Sequence, residues 1–249
     1  MGETMTLMTT LRSRWRAALL GLGLTLLPLA PALAQDAAAW PKSGELKYSV
    51  LRGVGGGKIG EAVHTWTQDG ARYSMQLDLK TTGLLAAVYD FSYVQSSRGR
   101  IVDGQLLSDS FRVEQTRRKP EEAVFDWQAG TVKVTRKGVV TEHPLKPGDR
   151  DVLNVWHLFS FNPGAVKPEM LLVANRYALP STVKSEGNAR IRVPLGNFDT
   201  QRYEIRTSTG KLDIDMWVSA QHHGLPVRLV LTDDKGRVLD LVAESITLN

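Results

Sequence analysis

Apolar side chains recur at every second position over most of this chain. In Arg72–Lys80, Tyr73, Met75, Leu77 and Leu79 alternate with Ser74, Gln76, Asp78 and Lys80. In Lys211–Val218, Leu212, Ile214, Met216 and Val218 alternate with Asp213, Asp215 and Trp217. Leu46, Tyr48 and Val50 repeat the pattern earlier, as do Val132 and Val134 in the middle. A period of two places successive side chains on opposite faces of a strand, one buried and one wet, which is the pattern of antiparallel sheet. Turn signals separate the runs: Gly55-Gly56-Gly57, Asp69-Gly70, Asp103-Gly104, Ala129-Gly130, Lys137-Gly138, Thr209-Gly210 and Lys235-Gly236. Glycine enters the positive-φ positions of tight hairpins without steric cost. The spacing predicts about a dozen strands and no interdomain linker.

One segment departs from this period. Asp149-Arg150-Asp151 precedes a run in which Val152, Val155, Trp156 and Phe159 fall at helical spacing, widened by Leu153 and Leu158, and Asn162-Pro163-Gly164 ends it. An aspartate at the entry and Pro-Gly at the exit are helix punctuation, so a helix over Asp151–Phe159 is predicted, buried on more than one side. The run Gly83–Tyr89 fits either a short helical turn or a buried strand. The expected fold is therefore all-β and mainly antiparallel, a strongly curved or incompletely closed barrel of about a dozen strands with one buried helix.

The N-terminus has a different character. Arg12, Arg14 and Arg16 precede an apolar stretch from Ala17 to Leu29, and Ala32-Leu33-Ala34 fits a small-x-small cleavage site. The apolar stretch is shorter than the roughly 20 residues of a membrane span, so residues 1–34 read as a cleaved secretory signal. Residues 35–43 form a short lead, and 44–249 a single β-rich domain, periplasmic and soluble with no membrane span in the mature chain. Cleavage removes three arginines and Glu3 and lowers the net charge from +5 to +3. That balance is too small to argue for nucleic acid. The chain has no cysteine, which excludes a disulfide scaffold, a thiolate metal site, a cysteine nucleophile and an acylated-cysteine lipid anchor.

Three stretches resemble an exported bacterial family, domain of unknown function 3108. They are Phe125-Asp126-Trp127-x-x-Gly130 followed by Pro147-Gly148-x-x-Asp151-Val152-Leu153-Asn154; Pro194-Leu195-Gly196-x-Phe198-Asp199; and Leu225-Pro226-Val227-Arg228-Leu229-x-x-x-Asp233-x-x-Gly236. Their order and spacing cover most of the mature chain. Asn154 stands where the family pattern Asp-x-Leu-Ser would carry serine. The resemblance implies no catalytic residue. A looser architectural resemblance links the expected curved sheet and helix to periplasmic lipoprotein-localisation carriers, which hold acyl chains in an apolar cavity.

Candidate chemistry is sparse. Gly53-x-Gly55-Gly56-Gly57-Lys58 is superficially like a phosphate loop, but Arg52 replaces its first glycine and Ile59 its hydroxyl residue, so a hairpin turn is expected. His64, His143, His157, His222 and His223 show no metal-ligand spacing; His157 reads as a hydrogen-bonded structural histidine and His222-His223 as part of a turn. Asp213 and Asp215 share a sheet face, as a paired-acid hydrolase would require, yet occupy positions that look solvent-facing. Arg117-Arg118-Lys119 is offset by Glu121-Glu122 at a hairpin tip. No catalytic residue, metal site or cofactor is assigned.

The expected function is non-catalytic binding in the cell envelope. An apolar ligand, a lipid or acyl chain, would be held between helix and sheet by Tyr48, Met75, Leu77, Trp156, Ile214 and Met216, with the two methionines supplying adaptable surface. The alternative is an envelope scaffold that binds another protein through an open sheet edge; a carboxylate-dependent hydrolase is third. Processing after Ala34 is a direct prediction. Intact-mass analysis of exported protein should give a chain beginning at Gln35, and a retained hydrophobic N-terminus in the membrane fraction would contradict it.

Overall fold

Strict alternation becomes strand wherever neighbouring runs can share one interior. The computed structural model describes residues 40–83, 86 and 91–249, all within one compact unit. The signal segment, its cleavage site and most of the ambiguous run after Gly83 (84–85 and 87–90) lie outside the described residues. The strands are β1 (Ser43–Arg52), β2 (Lys58–Gln68), β3 (Arg72–Thr81), β4 (Ser92–Val102), β5 (Gln105–Gln115), β6 (Glu121–Asp126), β7 (Thr131–Arg136) and β8 (Val139–Pro144). After these come β9 (Arg150–Asp151), β10 (Glu169–Val173), β11 (Ala178–Val193), β12 (Gly196–Thr207), β13 (Leu212–Ser219), β14 (Leu225–Asp233) and β15 (Val238–Leu248). The expected dozen becomes fifteen among the described residues; β9, two residues long, is too short to show any alternation.

All fifteen join one sheet in the order β8-β7-β6-β5-β4-β3-β2-β1-β15-β14-β13-β12-β11-β10-β9. Two meanders, β1–β8 and β10–β15, are thus zipped together along β1 and β15, where Val50 faces Leu241 and Tyr48 faces Ala243. Every pairing is antiparallel except β9 with β10. The ladder ends at β8 and β9 without joining them, so the sheet is an incompletely closed barrel. Inward positions of successive strands form one continuous core, in which Leu46, Tyr48, Trp66, Met75, Phe111 and Ile205 are fully buried. Among the described residues no helix is long and apolar enough to cross a membrane.

The helix expected over Asp151–Phe159 is broken into two short pieces. Asp151 belongs to β9, paired with Val173, and its Oδ1 accepts from the N–H groups of Leu153 (2.9 Å) and Asn154 (2.8 Å). That turn delays helix formation, so a 3-10 turn runs from Asn154 to His157 and a single α-turn from Leu158 to Phe161. The segment is nonetheless buried throughout from Asn154 to Ser160. It reaches the sheet closely at Gly224, whose φ is +70° and where a Cβ would stand 2.5 Å from the Phe159 carbonyl oxygen.

Side chains close the seam that the ladder leaves open. Inside the barrel, Asp151 Oδ2 accepts from Ser97 on β4 (2.6 Å) and Ser108 on β5 (2.5 Å). Asn154 donates to the Tyr73 hydroxyl on β3 (2.8 Å) and to the Leu106 carbonyl. Nearby, Glu121 on β6 accepts from Asn175 (2.5 Å) and pairs with Arg176 (3.3 Å) in the turn between β10 and β11. Asp151→Ala leaves two hydroxyls and two backbone donors without their acceptor in a dry interior, and should cost about 3–5 kcal/mol. Asp151→Asn keeps one acceptor oxygen and should cost distinctly less. Urea midpoints of the two variants check the ranking; equal, small losses would show that the clasp does not hold the seam.

Candidate functional site

Tyr48, Met75, Leu77, Trp156, Ile214 and Met216 all lie in the one core cluster, and none is more than 4% exposed. Tyr48 and Trp156 meet edge to face with ring centroids 5.7 Å apart, and the Tyr48 hydroxyl donates to the Pro226 carbonyl (2.6 Å). Side chains this thoroughly buried border almost no empty space. Two clefts described below are lined by other residues.

Polar groups occupy the same interior in two chains of hydrogen bonds. In the first, Asn154 donates to Tyr73, Tyr73 to Ser108 (3.0 Å), and Ser108 to Asp151. Burial pushes the Asp151 carboxyl up, against the downward pull of its four donors. The Arg150 guanidinium, buried beside it, donates from Nη1 to Asn154 Oδ1 (2.7 Å), and burial lowers its pKa despite the nearby negative charge. Asn154, the departure from the family's serine, supplies both donors and an acceptor here, which a hydroxyl could not do at that reach.

The second chain fixes two tautomers. Trp40 Nε1–H can only donate, and its partner is His157 Nδ1 at 2.9 Å. His157 must then carry its proton on Nε2 and donate to His64 Nε2 at 2.7 Å. His64 in turn carries its proton on Nδ1 and donates to the Gln76 carbonyl at 2.9 Å. Every ring nitrogen is used, and neither imidazole can accept another proton without setting two donors against each other. Burial pushes His64 down to about 4 and holds His157 well below its usual value, with His64 adding to the latter effect. His157 is the structural histidine its sequence position suggests. His64, which the sequence marks only as lacking metal-ligand spacing, occupies the inward phase of β2 between Ala62 and Trp66, where an apolar residue is the norm.

The other candidates are likewise engaged. Asp215 lies between Arg202 (2.7 Å) and Arg206 (2.9 Å), and Asp213 accepts from the Thr207 N–H (3.0 Å). The glycine run is the β1–β2 turn, and His222-His223 end the β13–β14 connection, where His223 has φ +53°. Family-pattern residues have structural partners too: Asp126 accepts from the N–H groups of Gln128 and Ala129, and Trp127 Nε1 donates to the Ser108 carbonyl (2.7 Å).

The surface offers what the interior does not. β8 closes one end of the sheet and, among the described residues, pairs only with β7. The two-residue turn Lys137-Gly138, both at positive φ, makes Arg136 and Val139 a bonded pair and turns the backbone of Val140 and Glu142 outward. Val139 and Val140 are 66% and 56% exposed. The strand ends at Pro144, which with Lys146 and Pro147 forms one wall of a cleft of about 660 Å³; Lys167, Glu169 and Pro180 line other parts. Lys167 Nζ donates to the Pro147 carbonyl (2.7 Å).

Comparisons with known proteins give a family and one similar β-barrel-like structure. The profile of the family described as Protein of unknown function (DUF3108) matches residues 45–242. A β-barrel-like protein of domain of unknown function DUF1849 from Brucella abortus is similar in structure, with a TM-score of 0.57 at 10% identity over 85% of this chain and 99% of that one. A candidate lipoprotein of Parabacteroides distasonis gives 0.35 at 10% identity, over 84% of this chain and 97% of that one. A candidate exported protein with a YmcC-like fold from Bacteroides fragilis gives 0.34 at 12% identity, over 82% and 95%. No curated protein matches the sequence.

The histidine relay predicts acid sensitivity. Because His64 and His157 titrate lower in the folded protein than their usual 6.5, the unfolded chain binds more protons. Their contribution to stability is full above about pH 6.5 and is lost as pH falls toward 4, by up to about 1.4 kcal/mol per pH unit for each ring. Urea midpoints measured between pH 7 and 4.5 should fall accordingly, and His64→Gln should flatten part of that slope. An unchanged slope in the variant would remove the relay as its cause.

Proposed function

The chain belongs to the DUF3108 family of proteins of unknown function, and we propose that it is a non-catalytic interaction protein of the cell envelope that takes up an extended segment of another envelope protein along β8. The observation that carries this reading is the uncovered edge strand whose C-terminal end becomes the wall of a cleft. An incoming strand would find the outward N–H and C=O groups of Val140 and Glu142, with apolar contact from Val139 and Val140. Beyond Pro144 it would enter the cleft walled by Pro147 and rimmed by Lys146 and Lys167. Three prolines, Pro144, Pro147 and Pro180, stiffen that cleft and lower the ordering cost of binding.

Edge strands left open invite aggregation, and this one carries the usual restraints: it is six residues long, bears Glu142 and ends in a proline. Those restraints suit selective rather than indiscriminate pairing. The alternative, an apolar ligand inside the barrel, would require Met75, Met216 and Trp156 to part from a tightly packed core, whereas the edge requires no rearrangement. Export is supported by the arginine, leucine and Ala-x-Ala pattern at the N-terminus. A non-catalytic reading is supported by the use of Asp151, His64, His157, Ser97 and Ser108 in hydrogen bonds that join distant parts of the fold.

A photo-crosslinking residue at position 140, activated in the envelope of producing cells, should give a discrete adduct with one partner. The same residue at Val54, 67% exposed in the β1–β2 turn, should not. In a chain crosslinked from position 139, Val140→Pro deletes an outward N–H while leaving the β7–β8 bonds intact, and should weaken adduct formation about tenfold. An adduct of twice the chain mass would assign the edge to a second copy. No adduct, or equal adducts from positions 140 and 54, would contradict the reading.

A further inference from the structure

A second cleft, of about 570 Å³, lies on the outward face of the sheet, bounded by two hairpin tips. Its floor follows the strand register: Ser49 of β1 faces Val242 of β15, which faces Arg228 of β14. The flanking residues Tyr48, Val50, Leu229 and Leu241 point into the core, so this row points out. Gly55, in the β1–β2 turn, forms one wall, and Pro194 and Gly196, at the β11–β12 turn, form another. The second tip is pinned in place, because the Leu195 N–H donates to the Ala243 carbonyl (2.9 Å).

The polar groups in this cleft are unbalanced toward donors. Asp240, wholly buried, already accepts from Arg228 Nε (2.9 Å), Arg228 Nη2 (2.8 Å) and the Gly55 N–H (2.9 Å). That grip, with the guanidinium 4.9 Å over Trp217, fixes the group and leaves Arg228 Nη1 without an acceptor among the described residues. Arg192 and Asn197, paired across β11 and β12, are exposed and line the cleft, and their side chains make no hydrogen bond or ion pair among the described residues. Glu244, the acid bonded to Ser49 beside the cleft, is occupied by that hydroxyl and by Lys58 (3.1 Å). Two arginines therefore face one satisfied carboxylate, beside an apolar surface made by Leu51, Val193, Pro194 and Val242.

We propose that this cleft binds an amphipathic anion, a carboxylate or phosphate headgroup on an apolar chain. The headgroup takes the donors of Arg192, Asn197 and the free edge of Arg228, in charge-assisted hydrogen bonds. The chain lies along Leu51, Val193, Pro194 and Val242. A donor set fixed before binding costs little to organise. The site shares no residue with β8 or its cleft, so it stands or falls independently of the edge-strand reading.

Calorimetric titration of the folded protein with dodecanoate and with dodecyl phosphate, below their micelle concentrations, tests it. Saturable one-to-one binding is expected for at least one, and the tighter of the two assigns the headgroup. Dodecanol, which keeps the chain and loses the charge, should bind about tenfold more weakly or worse. Arg192→Ala should weaken binding of the anion about tenfold with an unchanged urea midpoint, since Arg192 makes no contact that holds the fold. Arg192→Lys should retain part of the affinity. Failure of both amphiphiles to saturate, equal binding of dodecanol, or indifference to Arg192→Ala would each overturn the proposal.

Discussion

A barrel whose hydrogen-bonded ladder does not close must be shut by something else, and here that is Asp151. Its carboxylate stands at the end of the strand order, on a strand only two residues long, yet reaches β4 and β5 through Ser97 and Ser108. One oxygen spans the seam and the other ties the start of the buried helical segment. Removing a carboxylate from water is costly, and four donors are what offset that cost. The surrounding sequence serves this contact. Gly99 leaves room for the Tyr73 ring, to which a Cβ would come within 2.8 Å, and Tyr73 in turn orders Ser108 and Asn154.

The second interior chain, from Trp40 through His157 and His64 to Gln76, performs the same service at the N-terminal lead. Trp66 Nε1 donates to the Pro41 carbonyl (3.1 Å) and Gln68 to the Trp40 carbonyl (3.1 Å), so residues 40–42 are bound to β2 as well as to the helical segment. Hydroxyls, imidazoles and a carboxylate within one protein invite a catalytic interpretation. In the two chains their hydrogen bonds tie together distant parts of the fold: Asp151 joins β9 to β4 and β5, and His64 and His157 join β2 to the helical segment.

That distribution directs attention outward. The exposed β8 edge and the cleft between the two hairpin tips differ in chemistry. The edge offers unpaired backbone and valine side chains; the cleft offers guanidinium donors beside an apolar floor. Both are built on rigid elements, the former on the β7–β8 hairpin and the latter on sheet rows anchored by the Arg228–Asp240 pair. The buried polar groups thus hold the barrel together, while the exposed edge and the donor-lined cleft are the two surfaces on which the proposed binding rests.

The sequence by itself determined the local structure and the class. Alternation such as Tyr73, Met75, Leu77 and Leu79 decides strand and facing together, because a one-residue slip would turn the whole apolar set to water. Glycine pairs such as Lys137-Gly138 decide turns for an equally local reason, and the spacing of the family pattern carried the family. Tertiary structure alone decided which strands meet. Nothing local tells β1 to pair with β15, some 190 residues away, or leaves β8 uncovered. The buried helical segment was legible, but not its start, for the same reason: Asp151 looked like a helix cap, but its partners Ser97 and Ser108 lie on strands more than forty residues earlier. The six apolar residues proposed as a pocket were legible as inward-facing; whether inward means packed or hollow depends on how much volume fifteen curved strands and one short buried segment leave between them. His64 shows the limit most plainly, since a histidine in an apolar phase announces burial but not the partner that makes burial tolerable.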